Sequence, residues 1–182
     1  SSAGWIDPLK EAQADTILLA NGGVSFQDYV ARHGQDWKER IDEMADVQAY
    51  AKQKGIELVP EVDSPNHMDA IFTLLEAHRG SDFVNTIKST VVADELEITS
   101  DAAVAWLKTL LTEVSGMFGD SSQHFHIGGD EFGYSVTNNH EFISYVNELS
   151  SFLAEKGLTT RIWNDGLLKD QLSGLDKSVQ IT

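Results

Sequence analysis

Cysteine is absent from the 182 residues, which removes disulfides, thiolate metal sites and cysteine nucleophiles from the available chemistry. No run of about 18 apolar residues occurs, so no transmembrane helix is expected. The opening stretch, Ser1-Ser2-Ala3-Gly4-Trp5, has neither a basic n-region nor an apolar h-region, and no initiator Met stands before it. Cations are scarce. With 13 Lys and Arg against 29 Asp and Glu, the net charge is −16, which should repel nucleic acid and anionic membrane. Neither is expected as a partner. A cationic partner would be favoured if the charge lines a cleft; the plainer reading is a solubilising surface. Internal repeats, low-complexity tracts and linkers are also lacking. What remains is an ordinary globular composition, long enough for one domain with a real core.

From residue 37 onward, helix and strand patterns alternate. Trp37–Lys54 reads as a helix with Ile41, Met44, Val47 and Ala51 on one face, stopped by Gly55. Ile56–Val62 reads as a short apolar strand ending near Pro60. Asp63-Ser64-Pro65-Asn66 is a turn and helix entry, with a helix expected over His67–Ala77, whereas Ser81–Thr99 carries no clear pattern. Ser100 or Asp101 caps a helix with Val104, Leu107, Leu110, Leu111, Val114 and Phe118 inward. His124–Gly128 is the next strand. Asn138 or Asn139 opens a helix with Phe142, Val146, Leu149 and Leu153 inward, ending at Gly157. Leu158–Trp163 is a strand, Leu167–Leu172 a short helix, and Ser178–Thr182 a further strand. This alternation implies parallel pairing through crossovers. Unusual polar residues gather at strand carboxyl ends, where a (β/α)8 barrel or an open α/β sheet keeps its site.

The densest of these clusters is His124–Ser135, HFHIGGDEFGYS, with Asp130 and Glu131 side by side after two glycines. Its Gly128–Phe132 string also resembles the signature of diguanylate cyclases. That fold would place the string in a β-hairpin turn followed by another strand. Here a loop and a helix follow, and no upstream metal-binding aspartate strand is found. A glycosidase accounts for the pair better. Cleavage of a glycosidic bond needs an acid for the leaving oxygen and a group that stabilises charge at the anomeric carbon. Two carboxylates in one pocket push their pKa values apart, which keeps one protonated near neutrality. Adjacent residues at a strand end usually diverge, because strand side chains alternate. From the residues alone, helix capping by Asp130 and Glu131 remains an equal alternative.

Together with Tyr50–Phe72 (YAKQKGIELVPEVDSPNHMDAIF) and Leu158–Leu167 (LTTRIWNDGL), this stretch resembles glycoside hydrolase family 20 from about Glu43 to Thr182. The resemblance implies a (β/α)8 TIM barrel, of which residues 1–182 are a middle portion of about four strands in a single catalytic domain, with no second domain. It implies substrate-assisted, retaining hydrolysis of poly-β-1,6-N-acetylglucosamine, a biofilm matrix polymer, by a secreted enzyme. Chitin fragments or glycoconjugate ends are the alternative substrates, and a catalytically incomplete, glycan-binding fragment is the alternative to an enzyme. Asp130 would orient the acetamido group, and Glu131 would be the general acid and then the general base. His67 matches a histidine beside the catalytic acid. Trp163 matches an active-site tryptophan that packs on the sugar around its acetamido group, and Tyr134 is a candidate lining residue. Asp63 and Asn164-Asp165, at strand ends, brace loops or support the site. His124 and His126 are read as support. No metal and no organic cofactor are expected.

The family's early arginine and aspartate have no matching segments before residue 43, and the chain stops before a further family tryptophan. The expectation is therefore a piece of a longer enzyme, weakly active or inactive alone.

Overall fold

The computed structural model describes residues 37–132, 140–164, 167 and 172–182, with side chains from Asp42 onward. The described residues fall into two compact units, one of residues 37–47 with Ala70–Val84, the other of Gln48–Asp69 with the described residues from Asn85 to Thr182. The elements in order are α1 (Trp37–Lys54), β1 (Glu61–Ser64), α2 (Asp69–Arg79), α3 (Ser81–Ile87), α4 (Asp101–Phe118), β2 (His124–Gly128), α5 (His140–Glu155), β3 (Thr159–Ile162) and β4 (Gln180–Ile181). The strands form one sheet in the order β1-β2-β3-β4, every pairing parallel. This is α/β architecture, a four-stranded portion of a (β/α)8 barrel. With β2 in parallel pairing on both sides, the Gly-Gly string lies in no hairpin of the kind the cyclase reading required.

Two helices supply much of the larger unit's core. Ser100 caps α4, its hydroxyl accepting the Ala103 N–H at 3.4 Å, as the sequence led one to expect. On α4, Ala103, Val104, Leu107 and Leu111 are buried, while Leu110, Val114 and Phe118 are half-buried at the margin of the stripe. On α5, Phe142, Val146, Leu149 and Leu153 are buried together with Ile143, Tyr145 and Ser150. Each large side chain so buried contributes about 1.5–3 kcal/mol. Lys108 and Glu148 bridge the two helices at 2.7 Å, but the glutamate is exposed and the pair stabilises little.

Several elements differ from the sequence reading. The first strand lies at Glu61–Ser64, not over Ile56–Val62. Pro60 has no N–H for the ladder, so pairing starts after it, although its carbonyl still accepts the His126 N–H at 2.9 Å. The expected helix over His67–Ala77 begins later, at Asp69, because His67 adopts a left-handed φ of 58°. The unread stretch holds α3 and an isolated antiparallel bridge, Lys88 to Leu96. Met44 and Val47, expected inward on α1, are exposed, while Ala51 is buried. Periodicity tells which positions share a face, not what covers it. Asn138 and Asn139, expected to open α5, and most of the helix expected over Leu167–Leu172 fall outside the described residues.

Candidate active site

The site is assembled where β1 meets β2. Glu61 pairs with His126, but Ser64 pairs with Gly128, so three steps along β1 match two along β2. Such an irregularity re-aims side chains. Here the Asp63 carboxylate lies over the Gly128 backbone. A Cβ on Gly128 would collide with Asp63 Oδ1, and would stand 2.6 Å from the Ser64 amide nitrogen and 2.8 Å from the Asp63 Cα. Gly128 also has φ 79°, a left-handed conformation that glycine adopts without penalty. Gly129, at φ 91°, faces the Phe142 ring at 3.3 Å from where its Cβ would be. The two glycines are therefore there for close approach and for the turn, and they deliver the next two residues to the site.

Those two residues do not diverge. Glu131 has φ 52°, which breaks the strand alternation, and both carboxylates reach one imidazole nitrogen. His67 Nε2 lies 3.2 Å from Glu131 Oε2 and 3.5 Å from Asp130 Oδ2. One nitrogen carries one proton, so His67 donates to one carboxylate at a time. Glu131 is the more exposed, at 59% against 31% for Asp130. That leaves the glutamate open to an incoming ligand. Non-glycine residues in left-handed conformations cost free energy and concentrate at functional sites. His67 and Glu131 are the two among the described residues.

Asp63 completes the cluster. Burial, a hydrogen bond with Asp130 and the negative charge of Asp130 push the Asp63 carboxyl up to about 7, against an opposing pull from His67. Two carboxyl groups bond only through a proton. Asp63, the carboxyl with the raised value, is the one that holds that proton toward neutrality. Asp130 Oδ1 is buried and has no hydrogen-bond partner, as are Asp63 Oδ1 and Asn66 Oδ1. Ligand atoms of Asp63, His67 and Asp130 lie within 4.8 Å of one another, the geometry that a small cation would also use.

The segment that carries His67 is held from below. Ser64 Oγ donates to the Ile127 carbonyl at 2.8 Å and accepts from the Tyr145 hydroxyl at 2.9 Å. Burial raises the Tyr145 pKa, so that hydroxyl keeps its proton. The Ser64–Pro65 peptide bond is cis. The Pro65 carbonyl accepts the Leu96 N–H at 2.7 Å, and the Met68 N–H reaches the Asp94 carbonyl at 2.8 Å.

Trp163 follows β3 directly and is 39% exposed, as a sugar platform must be. Its indole N–H donates to Glu61 Oε1 at 3.0 Å, and its ring lies 4.4 Å from that of His126. His126 is thus beneath the tryptophan. His124 instead sits at the amino end of β2, where Glu57 binds its Nδ1 at 2.8 and 2.9 Å. Asn164 is exposed; Tyr134 and Asp165 lie outside the described residues. The structure brings Asp63, His67, Asp130 and Glu131 into one cluster. Glu61 received no role from the sequence, although its place two residues before Asp63 on one strand was the available signal.

The profile described as "Glycosyl hydrolase family 20, catalytic domain" matches residues 38–182. Among solved structures, dispersin B is 53% identical with a TM-score of 0.74, over 78% of this chain and 41% of that one. The pneumococcal exo-β-D-N-acetylglucosaminidase is 26% identical with a TM-score of 0.61, over 78% and 38% of the two chains. Lacto-N-biosidase of Bifidobacterium bifidum is 27% identical over 99% of this chain and 18% of its own length. β-Hexosaminidase subunit A1 of Dictyostelium discoideum is 28% identical over 68% and 26%. The chain spans less than half the length of each of these relatives. With the profile match running through β1, β2, β3 and β4 and the carboxylate cluster, the chain belongs to glycoside hydrolase family 20.

Proposed function

We propose that the chain carries the catalytic centre of a secreted β-N-acetylhexosaminidase that cleaves β-1,6-linked N-acetylglucosamine polymer by substrate-assisted, retaining catalysis. The observation that carries this reading is the convergence of Asp130 and Glu131 on His67, with Asp130 Oδ1 left as a buried, unused acceptor. In the first step the acetamido carbonyl oxygen attacks the anomeric carbon as the glycosidic bond breaks. Glu131 gives its proton to the leaving oxygen. Asp130 accepts the acetamido N–H and stabilises the positive charge of the oxazolinium ion so formed. In the second step water attacks the anomeric carbon, its proton passes to Glu131, and the oxazolinium C–O bond opens. Two inversions give net retention.

Asp63, protonated, keeps Asp130 in place by donating to it. His67, 3.2 Å from Glu131 Oε2 and 3.5 Å from Asp130 Oδ2, orients the two carboxyl groups by hydrogen bonding. Trp163 stacks on the sugar. The substrate class rests on the sequence resemblance, and the net charge of −16 suits a partly deacetylated, cationic polymer. A second reading, hydrolysis of chitin fragments or glycoconjugate ends, is favoured by the distant relatives named for lacto-N-biosidase and β-hexosaminidase activities. Parallel assays on β-1,6- and β-1,4-linked N-acetylglucosamine oligomers separate the two. Faster turnover of the β-1,6 series is expected; preference for the β-1,4 series establishes the alternative. A glucoside lacking the acetamido group should not be cleaved, and its turnover would rule out substrate assistance.

A further inference from the structure

Each of the four strands contributes one residue to a polar chain that runs across the sheet under the tryptophan. Glu61 opens β1, His126 lies within β2, Trp163 follows β3 and Thr182 follows β4. The donors and acceptors fix its polarity. The Gly128 N–H donates to His126 Nδ1 at 3.1 Å, so that nitrogen is the ring's acceptor. His126 Nε2–H therefore donates to Thr182 Oγ1 at 2.9 Å, and the threonine hydroxyl donates to the Ile162 carbonyl at 3.0 Å. Every step is satisfied by a neutral imidazole, as expected for a histidine side chain 7% exposed.

Glu61 Oε1 lies 3.2 Å from the same Nδ1. That nitrogen's lone pair already faces an amide, so the donor that Glu61 Oε1 uses is the Trp163 indole N–H at 3.0 Å. The indole is thus held at its N–H by Glu61 and packed against the His126 ring, with 4.4 Å between ring centroids and 50° between the planes. Both supports stand on paired strands, whereas Trp163 lies just beyond its own.

We infer that Glu61 is a positioning residue. It fixes the plane of the Trp163 indole, and through that plane sets how strictly the site discriminates the acyl group on the sugar nitrogen. The substrate part of this inference rests on the proposed hexosaminidase activity; the tie itself does not. Glu61 has no hydrogen bond to Asp130 or Glu131, although its charge helps to raise the Asp63 pKa; Glu61→Ala and Glu61→Gln remove that charge alike, so a difference between the two variants reports fit rather than proton transfer.

Two measurements test it together. The first is the indole N–H resonance of the ¹⁵N-tryptophan-labelled chain, with Trp163 assigned by its disappearance in Trp163→Phe. Glu61→Ala should move that resonance upfield and speed its exchange with water, while Glu61→Gln, which retains an acceptor oxygen, should leave it near the parent position. An unmoved resonance in Glu61→Ala overturns the tie, provided that the circular dichroism of the two chains agrees. The second is acyl preference. One methylene in a fitted pocket is worth roughly 10–200-fold. The parent should prefer N-acetyl over N-propionyl substrates in that range, Glu61→Ala should lose most of the preference through KM with kcat little changed, and Glu61→Gln should restore it. Equal preference in parent and Glu61→Ala overturns the specificity role. These assays use the longer enzyme that carries this chain; if that parent is inactive on both linkages, the proposed function and the specificity role fall with it, while the resonance still decides the tie.

Discussion

Replacing Gly128 by alanine should be among the most damaging one-carbon additions in this chain. The new Cβ would stand 2.6 Å from the Ser64 amide nitrogen and 2.8 Å from the Asp63 Cα, and would collide with Asp63 Oδ1. Two of those three atoms are backbone, so no rotamer change relieves the clash. Overpacking of this kind costs about 1–3 kcal/mol. Holding an alanine at φ 79° adds about 1–2 kcal/mol. The sum, about 2–5 kcal/mol, is a large part of the stability of an ordinary domain, about 5–15 kcal/mol. Gly129→Ala meets only the edge of the Phe142 ring at 3.3 Å, which can shift, and should cost about 1–3 kcal/mol. Gly157→Ala, at φ 78° with nothing within 4 Å, isolates the backbone strain alone. Urea denaturation of the three variants should rank them Gly128, Gly129, Gly157 in falling cost. If Gly128→Ala is no more destabilised than Gly157→Ala, the close approach of β1 to the glycine turn is wrong.

Three further outcomes follow from the ionisable groups. Asp63 is raised to about 7, above its unfolded value near 4, so its stabilising contribution is full below about pH 4 and is lost as pH rises through about 7. Asp63→Asn, whose amide still donates to Asp130, should be relatively more stable than the parent at pH 8 than at pH 5; thermal melts at the two values check this. Glu57 is held below its usual range because bonds from His124 and the Gln123 amide outweigh the opposing effect of burial. Its contribution is therefore present above about pH 4.5 and lost as pH falls through the lowered value, so Glu57→Gln should destabilise by about 1 kcal/mol at pH 7 and converge with the parent in acid. His67→Ala leaves two adjacent carboxylates without their common partner and should lower kcat by roughly 10²-fold or more, with KM little changed, in hydrolysis of an N-acetylglucosaminide.

The residues alone pointed to strand carboxyl ends, where the α/β pattern keeps polar clusters, while His67 and the roles given to Asp130 and Glu131 came from the family resemblance. Asp63, His67, Asp130 and Glu131 were each singled out and do meet. What the residues did not reveal was how adjacent Asp130 and Glu131 face one partner. That depends on a left-handed φ at Glu131, which no side-chain pattern encodes. The first strand was misplaced because an apolar run scores well whether or not its backbone is paired, and Pro60 marks the start of the ladder rather than its end. The partnership of Glu61 with Trp163 joins positions 102 residues apart in sequence and is a product of strand order, so spacing could not show it. The inward positions of α5 were legible because one wide apolar stripe has a single way to be buried.

The central claim is that Glu131 moves the proton while Asp130 holds the acetamido group. The most direct measurement is hydrolysis of β-1,6-linked N-acetylglucosamine oligomers by the enzyme carrying this chain, beside its Glu131→Gln variant, with the anomer of the first product followed by NMR. The account expects β-product from the parent and a rate at least about 10²-fold lower in the variant, whose amide cannot donate and recover a proton. Equal rates in the two, or an α-anomer as first product, would contradict it.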